Sequence, residues 1–318
     1  MKGRRVTGVI VVLAALAALP LFIRSEYLLG ILSVCFIYGI WATSWDFMSG
    51  LTGRENFGHA LFIGAGAYTA AFLNGKLGFA PWWGLPAGAA MAGGLSLVIG
   101  IPTLRLRGPY FALAMLAAAT IMQRLTLIFW QYSGGEEGIP GLDPLLESKA
   151  AVYYLCLGVF VVITLALLLL AGSHWGLILR SIRGDEAAAQ AAGVNVTFHK
   201  IAALVVSAFC AGIGGVLYAH YQEAVTPDVF SVALSISIII MVYVGGIGSL
   251  YGPAAGAVLL ALLPELLRGL GQYRLWVYSL VLIFILFFAP EGVIAPLWRR
   301  VTGGVTGGAT GGATGGAP

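Results

Sequence analysis

Between Gly176 and Lys200 the chain reads GLILRSIRGDEAAAQAAGVNVTFHK, an order of residue types suited to mechanical docking. Asp185 can accept hydrogen bonds from the N–H groups of a following turn, the alanines favour helix, and Gly193 can take the left-handed conformation that ends one. Glu186 stands in the first turn, where the helix dipole favours an anion. Two readings stand: a solvent loop with some helix, or a docking helix from Asp185 to Gly193 that a partner protein grips.

Groups suited to covalent or metal chemistry are dispersed. Cys35, Cys156 and Cys210 lie singly in apolar runs, where cysteine behaves as a small buried hydrophobe. His59, His174, His199 and His220 are scattered, with no H-E-x-x-H pair. We therefore expect no disulfide framework, metal site or cofactor. The chain has no G-x-x-x-x-G-K-[ST] run, so energy from a nucleotide would have to come from another subunit.

The composition is 59% hydrophobic and 9% charged. Soluble domains carry about a quarter charged residues, so the chain reads as a polytopic membrane protein. Its 45 glycines suit close helix packing in a bilayer. The net charge of +4 arises from Lys and Arg at segment ends, as the positive-inside rule expects, and implies no nucleic-acid partner. At about twenty residues per span, the apolar runs predict an all-α bundle of about ten spans, several short or broken. They lie near 6–23, 27–48, 58–74, 82–101, 109–130, 150–171, 200–221, 232–247, 253–268 and 275–297. The basic N-terminus and the run after it fit a signal peptide or an uncleaved first helix. The second is favoured because another span begins at once, at Tyr27. Alternation then puts Arg54, Arg105, Arg107, Arg180, Arg183, Lys200, Arg299 and Arg300 in the cytoplasm with both termini. It puts the loop from Tyr132 to Lys149 outside. Residues 1–300 form one transmembrane domain containing the polar loop 172–199, and the Gly/Thr/Ala repeat at 301–318 predicts a disordered tail.

Two stretches interrupt this pattern. One carries Gly50, Gly53, Gly58, Gly64 and Gly66; the other carries Gly245, Gly246, Gly248, Gly252 and Gly256. We read them as corresponding breaks in two related halves. Lipid does not tolerate unpaired backbone groups, so such breaks must be packed in protein or line a watery path. Close packing is one reading. A translocation pathway is the other, with Asn56, His59, Tyr68, Gly138 and Ser249 beside it. Asp46 is expected to end its helix at the interface, and Arg124, within the fifth span, either snorkels outward or faces a cavity.

The runs Gly50-Leu51-Thr52-Gly53, Phe57-Gly58-His59-Ala60 and Gly64-Ala65-Gly66-Ala67-Tyr68-Thr69 resemble the permease subunits of branched-chain amino acid ABC importers. So do Arg105-Leu106-Arg107-Gly108, Ser133-Gly134-Gly135 with Gly138-Ile139, Arg183 to Asn195, Gly245-Gly246 with Gly248-Ser249, and Pro264-Glu265. The resemblance runs in order from about residue 26 to 297. It implies a second homologous permease subunit, two ABC ATPase subunits and a periplasmic or lipid-anchored substrate-binding protein as partners, within membrane lipids. It also implies that Arg183, Asp185, Glu186, Ala187, Ala188, Ala192, Gly193 and Asn195 belong to the cytoplasmic loop that docks on an ATPase. Where that family usually has a small polar pair, this chain has Arg54-Glu55-Asn56, which sets an adjacent ion pair beside the first break.

The expected function is thus the inner-membrane, non-enzymatic permease of an importer for leucine, isoleucine and valine, with urea, short amides or other amino acids as alternative cargo. An ion-coupled secondary transporter would need more ionisable groups within the spans, and a membrane enzyme a clustered site.

Overall fold

A computed structural model describes residues 14–21, 25–106 and 108–267, with scattered positions between 271 and 292. Most of the expected spans at 275–297 and 6–23, and the tail at 301–318, lie outside the described residues. Among the described residues the following helices carry the architecture. They are α1 (Glu26–Trp45), α2 (His59–Ala71), α3 (Gly84–Thr103), α4 (Pro109–Ile128), α5 (Lys149–Gly172), α6 (His174–Gly184), α7 (Glu186–Ala191), α8 (Val196–Gln222), α9 (Val232–Gly245) and α10 (Tyr251–Leu266). Among the described residues five helices are long and apolar enough to cross a membrane: Glu26–Gly50, Pro81–Thr103, Pro109–Ile128, Lys149–Gly172 and Val196–Gln222. Val232–Gly245 and Tyr251–Leu266 are shorter apolar helices. The chain is an all-α membrane bundle.

Among the described residues two helices lead into π-helical turns. Asp46–Gly50 extends α1, and Phe72–Lys76 extends α2. Such turns are rare and loosen the regular i to i−4 bonding, which lets a helix change direction without leaving the membrane. The expected breaks begin here: the first starts inside the π turn of α1, and the second lies between α9 and α10.

The core forms where α8 crosses α2 and α3, with α1 packed on α8, α5 and α10. Trp41, Trp45, Phe47, Phe36 and Tyr153 are fully buried in it. The α2–α8 crossing is close because neither helix presents a side chain at the contact: a methyl group at Gly66 would stand 2.7 Å from the Gly212 Cα. Small residues at such crossings substitute packing contacts for the hydrophobic drive that a bilayer cannot supply. By contrast α4 is buried only at Phe111, Met115 and Ala119, and α5 only along one face, with Leu113, Ile121, Val162 and Leu169 pointing out of the chain.

At the end of the bundle away from α7, the glycine-rich stretch after Ser133 forms turns. A two-residue antiparallel bridge between Ile139–Pro140 and Ala224–Val225 follows. Asn74 fastens this loop by donating to the Asp143 carboxylate (2.9 Å) while accepting from the Asp143 backbone N–H (2.8 Å).

Candidate functional site

The helix expected at Asp185 forms at Glu186–Ala191. The Asp185 carboxylate caps it, accepting from the N–H groups of Ala187 (2.9 Å) and Ala188 (3.0 Å). Gly193 follows with φ of +86°, a conformation in which a side chain would be strained, and it turns the chain toward α8. Asn195 caps that helix through the Phe198 N–H (3.1 Å). Ala189 is buried with Ile182 and Val196 in a small apolar cluster of its own. Ala187, Ala188, Ala191 and Ala192 remain exposed. One face of α7 is thus seated on the bundle, and the other is an open surface of methyl groups.

Glu186 anchors the seated side. One carboxylate oxygen pairs with Arg54 (2.5 Å) and the other with Lys200 (2.7 Å). The Lys200 side chain is 3% exposed and that of Arg54 14%, so Glu186 neutralises two nearly buried cations from its own 40% exposed position. Burial pushes its carboxyl pKa up, but the hydrogen bonds from Lys200 and Arg54 outweigh that and hold it below the ordinary value of 4.5.

The expected ion pair between Arg54 and its neighbour Glu55 does not form. Arg54 turns to Glu186, while Glu55 accepts from the Tyr243 hydroxyl on α9 (2.7 Å). The physical reason is that each finds a better partner: consecutive side chains diverge, and the two buried cations draw Glu186 to Arg54. The first break therefore reaches, through Arg54 and Glu55, both α7 and the helix that precedes the second break.

The breaks themselves meet. Asp46, fully buried in the π turn, accepts from the Gly248 N–H (2.6 Å) through one oxygen and from the Leu250 N–H (2.9 Å) through the other. It therefore does more than end its helix at an interface. Arg183, the penultimate residue of α6, donates to the Gly50 carbonyl. Ser249 closes the second break internally, donating to the Gly246 carbonyl (2.7 Å) and accepting from the Gly252 N–H (3.1 Å).

The remaining expected pathway residues separate into two groups. Gly53 and Tyr68 line clefts. A cleft of ≈780 Å³ beside α7 is bounded by Gly53, Arg54, Glu55, Arg183, Glu186 and the α4 residues Ala112, Leu113 and Leu116. A second, ≈490 Å³ and almost wholly apolar, is bounded by Tyr68, Phe72, Phe230 and the α4 residues Met122 and Thr126. The others sit at packing contacts. Gly58 meets the Met115 backbone, Gly64 the Phe230 ring, Gly66 the Gly212 backbone and Gly245 the Gly252 backbone. Gly50 lies against Asp46 and Gly248, and Gly138 against Val225. Asn56 is buried, its carbonyl accepting from the Trp45 indole (2.7 Å) and its side chain from the Gly58 N–H (2.9 Å). His59 is buried with Nε2 3.1 Å from the Ser44 hydroxyl. Arg124 is exposed on α4. Among the described residues no three His, Cys, Asp or Glu side chains gather in a way that could hold a metal ion.

A family described as branched-chain amino acid transport system / permease component matches residues 27–290. The chain belongs to that family. Among its relatives is the high-affinity branched-chain amino acid transport system permease protein LivM of Escherichia coli, 29% identical over 91% of this chain and 75% of that protein. The Salmonella typhimurium protein of the same name is 28% identical over 87% of this chain and 72% of its own length. A probable branched-chain amino acid transport permease protein LivM from Methanocaldococcus jannaschii is 23% identical over 73% and 75%. No solved structure matches. The matched region of this permease runs from α1 past α10, so it contains both breaks and the α6–α7 arm.

The signals that sequence reading missed were partnerships. Asp46, Lys200 and Tyr243 lie 202, 14 and 188 residues from their partners Gly248, Glu186 and Glu55. One sequence signal was available for Asp46: a carboxylate at the end of an apolar span with no nearby basic residue has to find hydrogen-bond donors elsewhere.

Proposed function

We propose that this permease carries branched-chain amino acids inward across the inner membrane, with α7 as the element a partner ATPase grips. The observation that carries the proposal is the double character of α7. Its exposed methyl surface suits seating in a groove, while Glu186 ties its other side to Arg54 and Lys200, so a push on α7 reaches the bundle through ionic contacts. The shortness of the side chains at Ala187, Ala188 and Ala192 lets a partner's backbone approach closely. Arg183, Asp185, Gly193 and Asn195 fix the helix's start, stop and attachment.

The assembly we infer holds this chain, a second homologous permease, two ABC ATPase subunits and a periplasmic or lipid-anchored binding protein. The full chain then has about ten spans in two related halves, with both termini cytoplasmic. Translocation follows the outer side of α2 along α4. Supporting this, α4 borders both clefts and leaves much of its surface uncovered within the chain, as a helix facing a second permease would. Gly53 and Tyr68 line the two ends of that route. Gly50, Gly58, Gly64, Gly66, Gly245, Gly246 and Gly248 give the surrounding helices the close contacts on which they pivot. Asn56, His59, Gly138 and Ser249 hold the backbone at the turns. The apolar lining suits aliphatic side chains, and among the described residues no charged side chain lines the cleft at the Tyr68 end, which leaves selection to the binding protein.

Reconstitution tests the reading. Vesicles holding this chain with its partner permease, ATPases and binding protein should accumulate tritiated leucine only when ATP is supplied on the α7 side. Uptake by this chain alone, driven by an ion gradient, would identify a secondary transporter instead.

A further inference from the structure

The two breaks and the α6–α7 arm converge on three contacts around Asp46. Each oxygen of its fully buried carboxylate holds one backbone N–H of the second break, at the half-buried Gly248 and the buried Leu250. Four residues further along the same π turn, the Gly50 carbonyl accepts from Arg183. Carbonyls at a helix end have no partner within the helix, so this one is free to receive a side chain. No side chain separates the breaks: a methyl at Gly50 would stand 2.9 Å from the Gly248 backbone nitrogen and would also collide with Asp46. Leu250 accepts a φ of +60° in making this contact, a backbone state that a leucine seldom adopts.

We propose that Asp46 and Arg183 are a positioning pair that makes both breaks move as one body with the α6–α7 arm. Arg183 holds the first break by its carbonyl, and Asp46 passes the displacement to the second. Neither oxygen of Asp46 is spare, so an amide in its place keeps one acceptor and leaves one buried N–H without a partner. The route is separate from the Glu186 bridge, which reaches the first break at Arg54 and does not touch the second. Coupling between distant sites requires an element that both sites bias, and here that element is the joined pair of breaks.

The relay rests on the proposed function only for its use in transport, so the test has two arms. In the first, amide hydrogen exchange is followed on the purified full chain in lipid nanodiscs. Asp46→Asn and Arg183→Met should each speed exchange in both 48–53 and 246–252, by about five- to ten-fold for a lost buried hydrogen bond. Arg183→Lys, which can still donate to the Gly50 carbonyl, should restore protection in both segments. Exchange that rises only beside the substituted residue would overturn the relay. The exposed Arg183 site keeps this arm usable if Asp46→Asn does not fold. In the second arm, ATP hydrolysed per tritiated leucine taken up is measured in reconstituted complexes. Arg183→Met should raise that ratio and Arg183→Lys should bring it back, whereas a ratio unchanged by Arg183→Met would overturn the relay's role. Absence of ATP-driven leucine uptake by the wild-type complex counts against the proposed function, and the exchange arm then decides the relay by itself.

Discussion

Replacing Glu186 by glutamine removes the charge that, among the described residues, answers two cations, and their burial sets the cost. Breaking a buried pair from one side costs about 3–5 kcal/mol, because the abandoned charge stays desolvated. A solvent-exposed pair is worth about 0–1 kcal/mol. Lys200 belongs near the first limit, whereas Glu186, 40% exposed and open to screening, pulls the interaction toward the second. We therefore expect Glu186→Gln to destabilise the purified chain by about 1–3 kcal/mol. Most of that should come from Lys200, since Arg54 keeps a second contact to the Leu106 carbonyl (3.4 Å). The discriminating experiment is a double-mutant cycle with Lys200→Met, read by reversible denaturant unfolding in detergent. If the cost is the stranded ammonium, the double variant recovers most of the loss and sits close to wild type. Strict additivity, or a Glu186→Gln variant as stable as wild type, would refute the electrostatic account of how α7 is seated.

Acid should act through the same carboxylate. Its folded-state pKa lies below 4.5, so its contribution to stability is complete above pH 4.5 and is lost as pH falls through the lower folded value. Denaturant midpoints measured from pH 7 to pH 3 should therefore drop more steeply below 4.5 in wild type than in Glu186→Gln, and parallel curves would contradict this. Gly193→Ala meets no neighbouring atom, so its cost is purely backbone, about 1 kcal/mol at a φ of +86°. Asp185→Ala should cost about 1 kcal/mol by loss of the cap. Both should appear as faster amide exchange confined to 186–194. Gly66→Val drives a branched side chain into the Gly212 backbone and should cost about 1–3 kcal/mol or more, seen as a lost folded fraction in gel filtration. Normal yield and stability in that variant would mean that α2 and α8 are not packed as described.

Eight of the predicted spans coincide with helices to within a few residues, because apolar length between charged ends is a local property of the chain. The capped helix at Asp185 was legible for the same reason: a cap, an alanine run and a terminating glycine all act within nine residues. The glycines were legible as interruptions but not in kind. Gly50 and Gly66 look alike in sequence, yet one faces a carboxylate and a second break while the other lets two helices touch. Only the partner distinguishes them, and the partner lies on another element. Arg54-Glu55 shows the limit from the opposite side. Adjacency in sequence suggested a pair, but a buried Lys200 requires an anion, Glu186 supplies it, and Arg54 is drawn to the same carboxylate. Glu55 is then released to Tyr243.

That release ties the first break to the second by a surface contact as well as by Asp46. The two ties differ in what can sever them. The Glu55–Tyr243 bond is exposed, so water can replace it at little cost. The Asp46 carboxylate is fully buried, so its bonds to Gly248 and Leu250 are costlier to replace. A motion that separates Arg54 from Glu186 can therefore rearrange the outer tie while the inner one keeps the breaks together. On the proposed function, the breaks would act as a single hinge block, and the part that would open and close during transport is the cleft between that block and α4.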